Sequence, residues 1–136
     1  MKKVIVTGAN GFIGKKLVNA LKERGYHVIA LSRKFSDEMQ RDGAVTCISV
    51  LNKTIAEIRD CIPDGEYSCL FHLAWAGTSG ADRADYHVQL DNVKLTCDYV
   101  QLCAAIGCKR FLYASSINEM ETYEYLQSDG SDPSGG

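Results

Sequence analysis

The stretch Val4-Ile5-Val6-Thr7-Gly8-Ala9-Asn10-Gly11-Phe12-Ile13-Gly14 constrains this chain more than any other. A short apolar run of β type breaks on a glycine, two more glycines follow at three-residue steps, and an amphipathic run begins at Ile13. The pattern predicts strand, tight turn and helix. Residues without side chains let the backbone turn sharply and let a ligand approach the peptide groups. The first N–H groups of the following helix have no partner within it and point at the turn, where the helix dipole favours negative charge. A glycine triplet alone also suits a plain surface turn. The flanking strand and helix turn it into a phosphate cradle, with Gly8, Asn10, Gly11, Phe12, Ile13 and Gly14 as its residues.

The rest of the chain repeats the alternation. The first strand runs to Val6 and the first helix over 12–24, with Ile13, Leu17, Ala20 and Leu21 on one face and Gly25 as its stop. Strands follow at 28–31, 45–50, 68–73 and 110–114. Between them lie a turn or two of helix over 35–41, a short helix over 54–62 ended by Pro63, a polar loop over 78–83, and a long helix over 84–106. Leu90, Val93, Cys97, Val100 and Ala104 line one side of the long helix. After Ser115-Ser116 the apolar periodicity stops, and 118–136 reads as a polar loop or disordered tail. Strands alternating with helices imply right-handed crossovers, and nearly continuous apolar strands imply a sheet covered on both faces. The expected fold is α/β, a doubly wound parallel sheet of order 3-2-1-4-5 that ends after strand five, with its crevice at the carboxyl ends of the strands. The glycine turn, Ser32-Arg33, the segment 72–77 and Ser115-Ser116 all fall on that rim.

Composition narrows the function classes. A chain of 136 residues, 46% hydrophobic, suffices for one domain with a core. Its formal net charge of −2 gives no footprint for nucleic acid. No apolar run is long enough to span a membrane, and Lys2-Lys3 precede only three apolar residues, so no signal peptide is expected. The six cysteines show neither CxxC spacing nor a histidine at zinc-finger spacing; buried free thiols in a reducing cytoplasm are expected, with no metal site.

A dinucleotide site discriminates at the end of its second strand, where a carboxylate takes the ribose hydroxyls of NAD and a basic residue accommodates the extra phosphate of NADP. Here the position reads Ser32-Arg33-Lys34. Ser32 can donate a hydrogen bond and Arg33 can clamp a phosphate with two. NADP is therefore expected over NAD, the competing reading being that Arg33 and Lys34 are ordinary solvated charges.

With these residues in view, the chain resembles the extended short-chain dehydrogenase/reductases, the NAD-dependent epimerase/dehydratase family. The resemblance rests on Thr7-Gly8-x-x-Gly11-x-x-Gly14, on His72-Leu73-Ala74-Trp75-Ala76-Gly77 (similar to the family's H-L-A-A segment), on Asn92-Val93 (similar to the start of its N-V-x-G-T stretch), and on Arg110-Phe111-Leu112-Tyr113-Ala114-Ser115-Ser116 (similar to R-F-V-Y-x-S-S). It implies a Rossmann-like NAD(P)-binding domain over 1–117 and chemistry that starts with hydride transfer from a sugar carbon of a nucleotide sugar. It implies that Leu73, Ala74 and Trp75 line the cofactor, and that Leu51, where the family often has an aspartate beside the adenine, contributes backbone. Trp75 either lines the nicotinamide end of the crevice or packs beneath its loop. Ser116 takes the place of the serine that hydrogen-bonds the reacting oxygen.

The chain departs from the family's pattern in one chemically decisive respect. The family's acid/base pair is a tyrosine with a lysine four residues later, and here Tyr123 is followed at that distance by Gln127 and Tyr125 by Asp129. Without that pair no group is poised to take the hydroxyl proton. The chain is expected to be the cofactor-binding part of a longer enzyme, inactive alone and meeting its nucleotide sugar only in the longer chain. The alternatives are a non-catalytic NADP-binding sensor or partner-binding module, and an inert scaffold, which the intact glycines disfavour. Apolar surface left uncovered at Leu90, Val93, Val100 and the fourth and fifth strands predicts a homo-oligomer.

Overall fold

The computed structural model describes residues 2–76, 80–114 and 123–128. Five parallel strands, β1 (Lys3–Thr7), β2 (His27–Ser32), β3 (Val45–Ser49), β4 (Tyr67–His72) and β5 (Phe111–Tyr113), form one sheet of order β3-β2-β1-β4-β5. The connections carry α1 (Phe12–Glu23), α2 (Asp37–Arg41), α3 (Ile55–Cys61), a 3-10 turn (Gly80–Ala84) and α4 (Tyr86–Ala105). This is the doubly wound order expected from the alternation of strands and helices. Residues 123–127, within the expected tail, are helical.

Two apolar layers follow from the period-two geometry of the strands. Ile5, Ile29, Leu31 and Leu70 point to the face covered by Ile58 of α3 and by Tyr99, Leu102 and Cys103 of α4. Val4, Val6, Val28 and Ala30 point to the face covered by Val18 and Leu21 of α1 and Met39 of α2. Both sets are apolar because both faces are covered, which is why the strands read as unbroken hydrophobic runs.

Local signals place the helix ends. The Ser36 hydroxyl accepts the Met39 amide at the start of α2, and Thr54 and Glu57 form a reciprocal capping box on α3. α4 ends in a Schellman turn: Gly107 has φ +70, its N–H donates to the Ala104 carbonyl at 3.2 Å, and the Cys108 N–H donates to the Cys103 carbonyl at 2.9 Å.

Two expectations are corrected here, the buried face of α1 and the burial of the cysteines. On α1 the buried stripe is Gly14, Val18 and Leu21, while Ile13 is 63% exposed and Ala20 lies outside. The helix must bring Gly14 against the turn, and that rotates the Ile13 side chain into solvent. On α4 the core side is Asn92, Tyr99, Leu102 and Cys103, and the stripe of Leu90, Val93, Cys97, Val100 and Ala104 is exposed, as expected for Leu90, Val93 and Val100. α4 thus carries apolar residues on two sides and the sheet uses only one. Of the six cysteines only Cys69 and Cys103 are buried; Cys61 and Cys97 are exposed, and all are free thiols.

Candidate functional site at the carboxyl rim of the sheet

The rim is built at the end of β1. Each glycine there has its own reason. Gly8 has φ +63, and a Cβ on it would stand 2.9 Å from the Ala74 nitrogen, so the backbone after β4 passes directly over it. A Cβ on Gly14 would lie 2.1 Å from the Gly8 carbonyl oxygen, so this position lets the helix close onto the turn. Gly11 is exposed and caps α1 with no side chain over the helix end. The amides of Phe12, Ile13 and Gly14 make no hydrogen bond among the described residues. Three donors at the positive end of a helix therefore face open backbone.

Not every amide of the turn is available. The Ala9 N–H donates to the Leu31 carbonyl at 3.2 Å and the Gly11 N–H to the Gly8 carbonyl at 3.1 Å. Asn10 is also committed: its Oδ1 accepts the Ser36 amide at 3.2 Å, tying the turn to the cap of α2. Gly11 thus offers room, Asn10 offers rigidity, and the donors belong to residues 12–14.

Thr7, the last residue of β1, joins the turn to the segment after β4. Its Oγ1 accepts the amides of Leu73 (3.0 Å) and Ala74 (3.1 Å) and lies 2.8 Å from His72 Nδ1. With both lone pairs taken by amides, the hydroxyl proton goes to Nδ1, which makes Nδ1 an acceptor and puts the imidazole proton on Nε2. Nε2 then donates to Thr96 Oγ1 of α4 at 3.2 Å, and Thr96 donates to the Asn92 carbonyl at 2.9 Å. His72 is 2% exposed and flanked by Tyr99 and Phe111, and burial lowers its pKa to about 4. At neutral pH it is an uncharged connector and no base.

Asn92 completes the scaffold. Buried on α4, its Oδ1 accepts the Ala76 amide at 2.9 Å and its Nδ2 donates to the Ala76 carbonyl at 2.8 Å. The segment 73–76 is therefore held at one end by Thr7 and at the other by Asn92. The amides of Leu73 and Ala74 are used up by this anchoring, so these two residues can offer a ligand only their remaining surface. Trp75, between the anchors, is 48% exposed, so it does not pack beneath its loop.

The outer rim carries charge. Ser32 ends β2 opposite Ser49 of β3, and Arg33 follows, exposed, with no ion pair among the described residues. The Ser49 hydroxyl donates to the Arg33 carbonyl at 3.0 Å and accepts the Leu51 amide at 3.3 Å, which fixes both strand ends. Leu51 is exposed beyond β3. From the outside of the sheet inwards, the rim presents Leu51, Ser32-Arg33, the glycine turn and then 73–75. Ser116 lies outside the described residues.

The hydrogen-bonding roles of Thr7 and Thr96 are not among the sequence expectations, although Thr7 opens the glycine motif. A polar residue closing an otherwise apolar strand, directly before a glycine, was the available signal for Thr7. For Thr96 the signal was its place as the threonine of the stretch similar to N-V-x-G-T that starts at Asn92.

The chain matches the sequence profile of the NAD dependent epimerase/dehydratase family over residues 4–133. The chain belongs to that family. Among proteins similar to this family member is short-chain dehydrogenase/reductase family 42E member 1 of Xenopus laevis, 28% identical over 116 residues, which cover 85% of this chain and 29% of the relative. Another is dTDP-6-deoxy-L-talose 4-dehydrogenase (NAD(+)) of Aggregatibacter actinomycetemcomitans, 30% identical over 127 residues, 86% of this chain and 42% of the relative. A similar solved structure is MoeE5 in complex with UDP-glucose and NAD, with a TM-score of 0.67, 30% identity, and coverage of 84% of this chain and 36% of that one. The epimerase/dehydratase chain thus spans less than half the length of each. Among its described residues no helix is long and apolar enough to cross a membrane, and no cluster of metal-ligating side chains occurs.

Proposed function

We propose that this chain is the dinucleotide-binding portion of an epimerase/dehydratase family enzyme acting on a nucleotide sugar by hydride transfer. The observation that carries the reading is the set of unpaired amides at Phe12, Ile13 and Gly14 beside an open Gly11. Donors at a helix N-terminus with no side chain above them fit a pyrophosphate. A bound nicotinamide would supply the hydride acceptor. The chain's own residues hold the pyrophosphate on α1 and keep the 73–76 segment rigid through Thr7 and Asn92. Ser116 is the group we assign to the reacting oxygen. None of the seven tyrosines has a lysine four residues later, so the proton-abstracting pair of the family is not in these 136 residues.

NADP is the favoured cofactor, because Arg33 is exposed without an ion pair among the described residues and the strand end bears no carboxylate. NAD is the second reading, favoured by its presence with MoeE5 and in the name of the talose dehydrogenase. Calorimetric titration with each cofactor tests both. Arg33→Ala is expected to weaken NADP by about tenfold or more, a charge-assisted hydrogen bond being worth about 1.5–3 kcal/mol, and to leave NAD nearly unchanged. Equal losses would reject the clamp. No binding of either cofactor would reject the dinucleotide site.

A further inference from the structure

The Schellman turn at the end of α4 brings two thiols together. In that turn the third-last helical residue and the second residue past the cap face each other, and here these are Cys103 and Cys108. The Cys108 N–H donates to the Cys103 carbonyl at 2.9 Å, which limits their Cα separation to under about 7 Å, in the span a disulfide bridges. Both side chains also turn toward one atom: the Cys103 and Cys108 thiols lie 3.6 Å and 3.5 Å from the Arg110 carbonyl oxygen. Cys108 is half-buried and Cys103 buried, so one sulfur is open to a reagent and the other waits behind it.

We propose that Cys103 and Cys108 are a redox pair that a peroxide oxidises to an intrachain disulfide, clamping the end of α4 to the residues entering β5. Cys108 sulfur attacks the peroxide, the O–O bond breaks, and Cys108 becomes a sulfenic acid as the first water leaves. Cys103 sulfur then attacks Cys108 sulfur, the S–O bond breaks, and the second water leaves. Two thiols and one hydrogen peroxide give one disulfide and two waters, with two electrons passing from sulfur to oxygen. Burial and the neighbouring Cys108 push the Cys103 thiol up to about 12, so Cys103 is no competitor for the first step. Burial also makes the Cys103 thiolate a poor leaving group, which favours the disulfide once made. The bridge would act three residues before β5, the edge strand that leads to Ser115-Ser116.

The test uses the whole chain, treated with hydrogen peroxide, unfolded, alkylated without reductant and digested with trypsin. Peptide 95–109 holds Cys97, Cys103 and Cys108 together, as no Lys or Arg interrupts it. It is expected to lose two hydrogens, to carry one alkyl group on Cys97, and to resist fragmentation between 103 and 108. Dithiothreitol should restore three alkylation sites, and oxidation should raise Tm by a few degrees. Cys97→Ala should still form the bridge and Cys108→Ala should not. Alkylation of Cys103 after oxidation of the wild-type chain would overturn the proposal, as would its linkage to Cys69 or Cys97, whatever the variants do.

Discussion

Replacing Thr7 by valine keeps the volume and removes the hydroxyl on which three groups converge. Thr7 is 1% exposed, so no water replaces it from the solvent side. Three contacts are lost: the Leu73 amide at 3.0 Å, the Ala74 amide at 3.1 Å and His72 Nδ1 at 2.8 Å. A buried acceptor left without a donor costs about 1–3 kcal/mol, and this applies to Nδ1 in full. The two amides belong to half-buried residues and can regain water, so each adds about 0.5 kcal/mol. The expected loss for Thr7→Val is about 2–4 kcal/mol, or roughly 10 °C in Tm for a domain of this size. Thr7→Ser keeps the hydroxyl and removes one methyl, with an expected loss of about 1 kcal/mol. Urea denaturation of the three proteins measures this. Dinucleotide affinity should fall with Thr7→Val and hold with Thr7→Ser, because segment 73–76 loses one anchor only in the former. If Thr7→Val proves as stable as Thr7→Ser, the hydroxyl is not what binds the turn to β4.

Three further outcomes rest on the same geometry. His72 has a folded pKa of about 4 against about 6.5 unfolded, so the unfolded chain binds the extra proton between those values; stability should be fully present above pH 6.5 and fall by up to about 3 kcal/mol as pH drops towards 4. A His72→Gln variant with the same slope over that window would refute the assignment. Gly14→Ala forces a Cβ to within 2.1 Å of the Gly8 carbonyl oxygen, and since backbone must move, a loss of about 3 kcal/mol or more and of dinucleotide binding is expected by urea melt and calorimetry. The exposed stripe of Leu90, Val93 and Val100 on α4, with Leu112 and Tyr113 on β5, should drive self-association; a monomer in sedimentation at high concentration would contradict it.

Much of this protein follows from residue order alone. The order of the strands came from the alternation of apolar runs with helical periodicity, since right-handed crossovers leave few topologies. The glycine turn was legible because a backbone at φ +63 and a helix pressed on a carbonyl admit almost no other residue. Gly8, Gly14 and the family's motifs are local, and local constraints are written in adjacent letters. The facing of the helices was not legible. Ile13 and Gly14 are neighbours in sequence, and only the contact of Gly14 with Gly8 decides which enters the core. α4 has apolar residues on two sides, so periodicity alone cannot say which the sheet takes. The link from Thr7 to His72, Thr96 and Asn92 spans residues far apart in the chain. The proton arrangement in it depends on which lone pairs the folded backbone has already occupied. Sequence determined what kinds of groups reach the rim; tertiary structure decided which of their atoms remain free to bind, because each hydrogen bond formed in folding withdraws a donor or an acceptor from the ligand.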